Sequence, residues 1–462
     1  MKVILINPRN KLFLKGENDF SMFPMGLASI ASVIRENGFE MKVIDADTNN
    51  ITPEQIAKTF TDDDVALVQI NAGNSLYYAM DVIKEIRKQS NAKIITGGAL
   101  AYSIPERILK ETEADIVVMG EGEEIVIELL TLLKKGESIK KVKNIYYKEE
   151  DKINGSDEIA TIKDLDKLPF PAWDLFNVED YIHKPAIYYG KRCLPMVTSR
   201  GCPFSCKYCF PNHGRIWRTR SVDKIILEMK LLKEKYNIDG IQFLDDNFLI
   251  NKKKIEDMCR EIKKEKLDLK WACQARADSI TYDYIKMIMD AGCRKIRLGV
   301  ESGSERMLKL MNKNLTLKQV YSALDVLIKL KMKLRVGFIL GMPNETKQDA
   351  LETYKLVKYI NKHKGYISIG YYYPLPKSEW YEYALERGFK ERTLNEWAEQ
   401  DKTKGFELNS SQMSDKELKR MYSKILMSNV LSSYTFHRGL LYLKKYGIKR
   451  IFGIIQPLYN GE

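Results

Sequence analysis

Thr198-Ser-Arg-Gly-Cys-Pro-Phe-Ser-Cys-Lys-Tyr-Cys-Phe210 sets Cys202, Cys206 and Cys209 at C-x3-C-x2-C spacing. Gly201 before the first cysteine and Pro203 after it require a tight loop. The apolar run Cys193-Leu-Pro-Met-Val-Thr198 leads into it and predicts a short buried strand. Three thiolates on one small loop suit a single soft metal centre. They can hold three irons of a cubane 4Fe–4S cluster and leave the fourth iron open. The competing reading is structural zinc, which takes four ligands, the fourth from His213 or Cys193.

The stretch resembles the signature of the radical S-adenosylmethionine (SAM) enzymes, and Tyr208, the aromatic before the third cysteine, is of the expected type. The resemblance implies that the open iron is chelated by the amino and carboxylate groups of SAM. It also implies that the reduced cluster cleaves SAM to a 5′-deoxyadenosyl radical, which takes a hydrogen atom from a substrate.

The chain has 462 residues, enough for two or three domains, each with its own core. Its seven cysteines, three of them in one loop, do not form a disulfide framework. No apolar run reaches the length of a membrane span, and the apolar start is too short for a signal peptide, so the expected location is the cytoplasm. Net charge is +13, unevenly spread: residues 1–150 hold 19 basic and 23 acidic side chains, a balance of −4, and the rest carries +17. A basic catalytic half suits an anionic substrate, although most of these lysines fit a solvated surface. No aromatics interleave with a basic stripe, so nucleic acid is not expected as a partner.

Residues 1–135 alternate strand and helix. Apolar runs at 3–7, 41–45, 65–70, 92–96 and 115–119 predict five parallel strands with helices between them, hence a doubly wound, Rossmann-like sheet. Such sheets bind ligands at the carboxyl ends of their strands. Those ends read Asn71-Ala-Gly73, Gly97-Gly98 and Gly120-Glu121-Gly122-Glu123. The order of elements and these segments resemble the cobalamin-binding domain found ahead of many radical SAM cores. The resemblance assigns Asn71, Gly73, Gly97, Gly98, Gly120, Glu121 and Gly122 to cobalamin. One departure stands out: residues 1–150 contain no histidine, so this domain offers cobalt no imidazole ligand.

Residues 136–192 read as a connector, with a proline-rich apolar stretch at 164–173 that should be ordered and packed. Residues 193–380 give a second strand–helix series, with strands at 193–199, 241–244, 271–275, 295–300, 334–340 and 366–373, which predicts a partial (β/α)6 barrel with its site at the strand carboxyl ends. That rule selects the cysteine loop, Asp245-Asp246-Asn247, Arg276, Glu301-Ser302-Gly303 and Gly341-Met-Pro-Asn-Glu345. Toward SAM, Glu301 can accept both ribose hydroxyls, Arg276 can grip the carboxylate with both prongs, the Gly341 backbone can approach the adenine edge, and Tyr208 can pack on the adenine face. The family has Gly-Gly-Glu where this chain has Asp245-Asp246-Asn247, so side-chain roles there are left unassigned.

Residues 381–462 read as helical and basic. The stretch 437–455 mixes cations with bulky apolar residues, which fits a helix packed on its own barrel or peripheral contact with a membrane. The resemblance as a whole implies a cobalamin-dependent methyltransferase acting on an unactivated carbon. It implies an electron donor such as ferredoxin or flavodoxin and a small-molecule or lipid substrate. The alternatives are radical cyclisation, coupling or rearrangement without methyl transfer, and a non-catalytic cobalamin or iron–sulfur protein.

Overall fold

The computed structural model describes residues 1–10, 22–150, 152–159, 161–182, 190–210, 212–399 and 408–430. The basic stretch 437–455 lies outside them. The chain divides into two compact units, each assembled from separate segments. The first comprises Met1–Pro203, Pro211–Ile241 and Lys390–Thr403. The second comprises Phe204–Phe210, Gln242–Phe389 and Lys404–Glu462.

The first unit is built on a seven-stranded sheet. Its strands are β1 (Val3–Asn7), β2 (Met41–Asp45), β3 (Val65–Gln69), β4 (Lys93–Gly97), β5 (Ile116–Val118), β6 (Ile145–Glu149) and β7 (Lys152–Gly155), in the order β2-β1-β3-β4-β5-β6-β7. The first five run parallel, and β6 and β7 add an antiparallel edge. Every residue of β1 is buried. That is why β1 reads as an unbroken apolar run rather than an alternation: helices cover both faces of a parallel sheet. The strand order reverses at β1, which opens a crevice at the carboxyl ends of β1 and β3.

The proline-rich connector packs against this sheet. Phe23 stacks on Trp173 at 4.1 Å between ring centroids and meets Phe176 and Tyr181 edge-on. The Tyr181 hydroxyl donates to Asp45 (2.7 Å) and accepts from Asn7 (3.1 Å), so it binds the connector to the ends of β1 and β2. Residues 390–399 return to the same unit: the Trp397 carbonyl accepts the Gly73 N–H at 3.1 Å, and the Leu394 N–H reaches Glu111 at 2.8 Å.

The second sheet contains β8 (Cys193–Met196), β11 (Gly240–Phe243), β12 (Lys270–Ala275), β13 (Cys293–Glu301), β14 (Lys333–Leu340) and β15 (Tyr366–Tyr371), in the order β15-β14-β13-β12-β11-β8. Between β8 and β11 the chain forms a small antiparallel pair, β9 (Ser199–Arg200) and β10 (Arg218–Thr219). Strands β12 to β15 pair in parallel, as a partial barrel requires. Unlike β1, strands β13 and β14 alternate: Ile296, Leu298, Val300, Val336 and Leu340 are fully buried, while Arg297, Gly299, Glu301, Arg335 and Gly337 occupy the other face.

In the second unit Phe243, Phe248 and Trp271 form an aromatic cluster with centroids 4.3 to 5.7 Å apart. Trp271 is fully buried, and its indole N–H donates to the Ala291 carbonyl at 2.8 Å. Trp271→Ala leaves a large void and an unpaired carbonyl, so chemical denaturation should show a loss of about 3–5 kcal/mol.

Candidate active site

The pair β9–β10 is the base from which the cysteine loop leaves and to which it returns. Gly201 adopts φ +83°, and a Cβ there would lie 2.2 Å from the Ile216 carbonyl oxygen, so only glycine fits. Inside the loop the Cys202 N–H donates to the Gly214 carbonyl and the Cys209 N–H to the Cys206 carbonyl. Cys206 is buried, Cys202 and Cys209 are half-buried, and no cysteine is disulfide-bonded. Among the described residues, no three Cys, His, Asp or Glu side chains yet converge closely enough to hold an ion. The donor set fits an iron–sulfur cluster better than zinc. Of the two candidates for a fourth ligand, Cys193 is buried in β8 and His213 Nδ1 faces Glu121 at 3.6 Å.

Two buried acids from the turn after β5 hold the loop's base. Glu121 takes two bonds from Arg218, at 2.7 and 2.8 Å, and one from the Ile162 N–H. Glu123 binds Arg200 at 2.5 Å and Ser29 at 2.8 Å. Burial works against the Glu121 anion, but His213, Arg218 and Arg200 outweigh it and hold the carboxyl well below the usual range.

The second unit brings together several of the residues singled out in the sequence. Glu301 ends β13 at φ +71°, beside a register shift between Gly299 and Glu301. A non-glycine residue in that region is strained and is kept where the site over-determines it. The twist lays the carboxylate back over two cross-strand glycines. A Cβ on Gly299 would meet its Oε1 at 2.7 Å, and one on Gly337 would meet Oε2 at 3.8 Å.

Lys313, which the sequence reading passed over, completes this arrangement. Its buried ammonium donates to Glu301 Oε1 (3.1 Å) and to the Tyr208 hydroxyl (2.9 Å). Asn312 and Asn314, both at positive φ, flank it, and asparagine tolerates that conformation. The same segment grips the cysteine loop through Met311 O to Lys207 N (3.1 Å) and Asn312 to Ser205 (2.7 Å). The signal available in the sequence was Asn-Lys-Asn between two helices, two turn-formers around one charge.

Arg276 is buried and already engaged. It bonds Asp278 and the carbonyls of Lys313 and Asn314, and its guanidinium lies 3.6 Å over the Phe204 ring. Gly341 sits at φ +80° and gives its N–H to Glu345 at 2.6 Å; Met342 gives its own at 3.2 Å. Asn247 is buried, and its Oδ1 has no partner among the described residues.

A cavity of about 360 Å³ lies in the first unit. Gln69, Asn71, Gly97, Gly98, Gly120 and Gly122 line it at the strand ends. Ser199, Arg200, Asn212 and His213, from either side of the cysteine loop, line it as well. The lining is largely bare backbone and apolar side chains with a few polar groups, which suits a bulky organic cofactor. Gly98 is required at φ +114°, where a Cβ would come within 2.6 Å of the Ile70 carbonyl oxygen. Glu121 borders the cavity with its carboxylate engaged by Arg218, and Gly73 gives its N–H to Trp397.

Two family models match: the radical SAM superfamily over residues 196–357 and the B12 binding domain over residues 13–130. An uncharacterized methyltransferase of Pyrococcus horikoshii is 32% identical over 390 residues, covering 83% of each chain. The anaerobic magnesium-protoporphyrin IX monomethyl ester cyclase of Rubrivivax gelatinosus is 28% identical over 346 residues, which are 72% of this chain and 62% of the cyclase. This chain thus spans about three fifths of that relative's length. Two solved structures share the fold. The radical SAM methyltransferase TsrM of Kitasatospora setae, with tryptophan and a SAM analogue bound, gives a TM-score of 0.68 at 16% identity over 83% of this chain and 76% of TsrM. The cobalamin-dependent radical enzyme OxsB, with aqua-cobalamin bound, gives 0.67 at 23% identity over 84% of this chain and 55% of OxsB.

Two outcomes are expected. Lys313→Met leaves the half-buried Glu301 without its cation and should cost about 2 kcal/mol of stability in chemical denaturation, with Lys313→Arg losing less. Burial pushes the Glu345 carboxyl up to about 8, against the two N–H bonds that favour its anion. A raised carboxyl favours the fold while protonated, so its contribution is whole below about pH 4.5 and is lost as pH rises to 8. Glu345→Gln has no proton to lose and should gain on the wild type between pH 5 and pH 8 in urea unfolding.

Proposed function

The chain belongs to the radical SAM enzymes that carry a B12-binding domain, and on that footing we propose that it is a cobalamin-dependent methyltransferase acting on an unactivated carbon of a small organic substrate. Its cofactors are a 4Fe–4S cluster, SAM and cobalamin. One observation carries the reading: a single cavity is lined both by the glycine-edged strand ends of the first sheet and by residues on either side of the cysteine loop. When bound, the cluster supplies one-electron reduction of SAM for hydrogen-atom abstraction, and cobalamin supplies methyl transfer.

The chain's own residues divide the work as follows. Cys202, Cys206 and Cys209 hold three irons. Glu301, fixed by Lys313, accepts the ribose hydroxyls, and two oxygens with four lone-pair sites leave room for both roles. Tyr208 packs on the adenine face, and the Gly341 carbonyl serves the adenine edge, since its N–H is held by Glu345. Nη1 is the one Arg276 nitrogen without a bond to a described residue, so Arg276 meets the SAM carboxylate with one prong instead of two. Gly97, Gly98, Gly120 and Gly122 offer cobalamin bare backbone, and Asn71 a polar group beside it. No helix among the described residues is long and apolar enough to cross a membrane. The electrons come from a ferredoxin- or flavodoxin-type donor.

The cyclase relative favours a second reading, in which the same radical is used without methyl transfer. Anaerobic reconstitution with iron, sulfide and hydroxocobalamin separates the two. About four irons and one cobalt per chain, iron lost on Cys202→Ala, and both 5′-deoxyadenosine and S-adenosylhomocysteine from reduced enzyme with SAM are expected. Iron and 5′-deoxyadenosine without cobalt or S-adenosylhomocysteine would overturn methylation in favour of the second reading. Zinc in place of iron would sink both.

A further inference from the structure

The inner face of the second sheet carries a row of residues that none of the roles above uses. Gln274, Arg297, Arg335 and Tyr366 are successive register partners across β12, β13, β14 and β15. The parity of β13 sets their direction. Ile296, Leu298 and Val300 are fully buried on one face, so Arg297 shares the other with Gly299 and Glu301. In β14, Arg335 shares that face with Gly337 in the same way. Two guanidiniums therefore stand on neighbouring strands, about 5 Å apart at their backbones.

Like charges set side by side repel, and a fold normally answers them with an acid. Here the row contains none. Among the described residues neither arginine has a carboxylate partner in an ion pair. Among the described residues, the one hydrogen bond Arg335 makes is from Nη2 to the Ser368 hydroxyl at 3.2 Å, and its buried Nε has no partner. Its guanidinium lies 5.4 Å from the Tyr366 ring centre. Desolvation and the Arg335 charge lower the Arg297 pKa, and the Glu301 carboxylate opposes them. By the same parity Lys295 and Lys333 share this face one step nearer the strand starts, so the row sits among cations, and the Glu301 carboxylate is taken by Lys313. Arg297 is open to solvent, so the cost falls on Arg335, whose buried Nε has no acceptor unless a ligand supplies one.

We propose that Arg297 and Arg335 form the subsite for a doubly charged oxyanion of the phosphate type on the substrate, each guanidinium giving two N–H donors to it. The inference rests on the radical-enzyme reading above and names its substrate class. The Glu301 carboxylate lies over the Gly299–Gly337 row, two residues further along the strands, or roughly 7 Å. The substrate would then carry its anionic group about that far from the nucleoside site, with its reacting carbon between the two.

The test uses the full chain, with and without reconstituted cluster, and inorganic phosphate and acetate as probes. Calorimetry should show phosphate binding to the wild type, with acetate much weaker. Arg297→Gln and Arg335→Gln should each weaken phosphate binding about tenfold or more. Without phosphate, each variant should melt at the same temperature as the wild type or higher, because a repulsion has been removed. With phosphate, only the wild type should gain in melting temperature. No phosphate binding by the wild type, equal binding by the variants, or acetate binding as tight as phosphate would each overturn the proposal. So would a lower melting point in both variants without phosphate, which marks the arginines as structural. Iron content and 5′-deoxyadenosine formation, measured on the same samples, keep a failure of this subsite distinct from a failure of the radical reading.

Discussion

A loop that must present three thiols has no core of its own, and its shape has to be imposed from outside. From Gly201 to Trp217 no described residue lies in a helix or strand. The roots are clamped by Glu121 and Glu123 through Arg218 and Arg200. The middle is gripped by residues 311–314 through Lys207, Ser205 and Tyr208. The Arg276 guanidinium stacked on Phe204 braces its start. Everything assigned to the cysteines depends on these holds, and most of them use charges withdrawn from water.

Charges withdrawn from water are costly, and each here is compensated in a way that limits geometry. A buried ion pair adds little net stability over a well-packed apolar pair, but breaking it strands a charge. The Arg218–Glu121 contact is two-pronged, which fixes direction as well as distance. Lys313 shares one ammonium between the Glu301 carboxylate and the Tyr208 hydroxyl, so neither group can shift without the other feeling it. Such contacts favour one arrangement over its neighbours more than they favour folding over unfolding.

Local pattern made the two sheets legible, and long-range pairing hid the clamps. The apolar runs of β1 and β3 and the alternation of β13 and β14 declare strands within a few residues, and the glycines that end β4 and β14 lie where the chain reads them. Arg218 and Glu121 are 97 residues apart and carry no shared local signal. Lys313 reads as one lysine among many until the fold brings its ammonium within 3.1 Å of the Glu301 carboxylate. Arg276 was legible as a site residue, but not the carbonyls of Lys313 and Asn314 that occupy it. Gly73 reads as a ligand-facing glycine until Trp397, far along the chain, takes its N–H.

The return of residues 390–399 to the first sheet has a consequence for how such a chain can be cut or recombined. Both compact units are discontinuous, and the first is completed by a segment that lies between two parts of the second. No single scission yields either unit intact. A fragment ending before β8 would lack its last segment and leave the bed of the fully packed Trp397 uncovered. Evolution can therefore exchange loops within this architecture more easily than it can trade its cofactor-binding half for another.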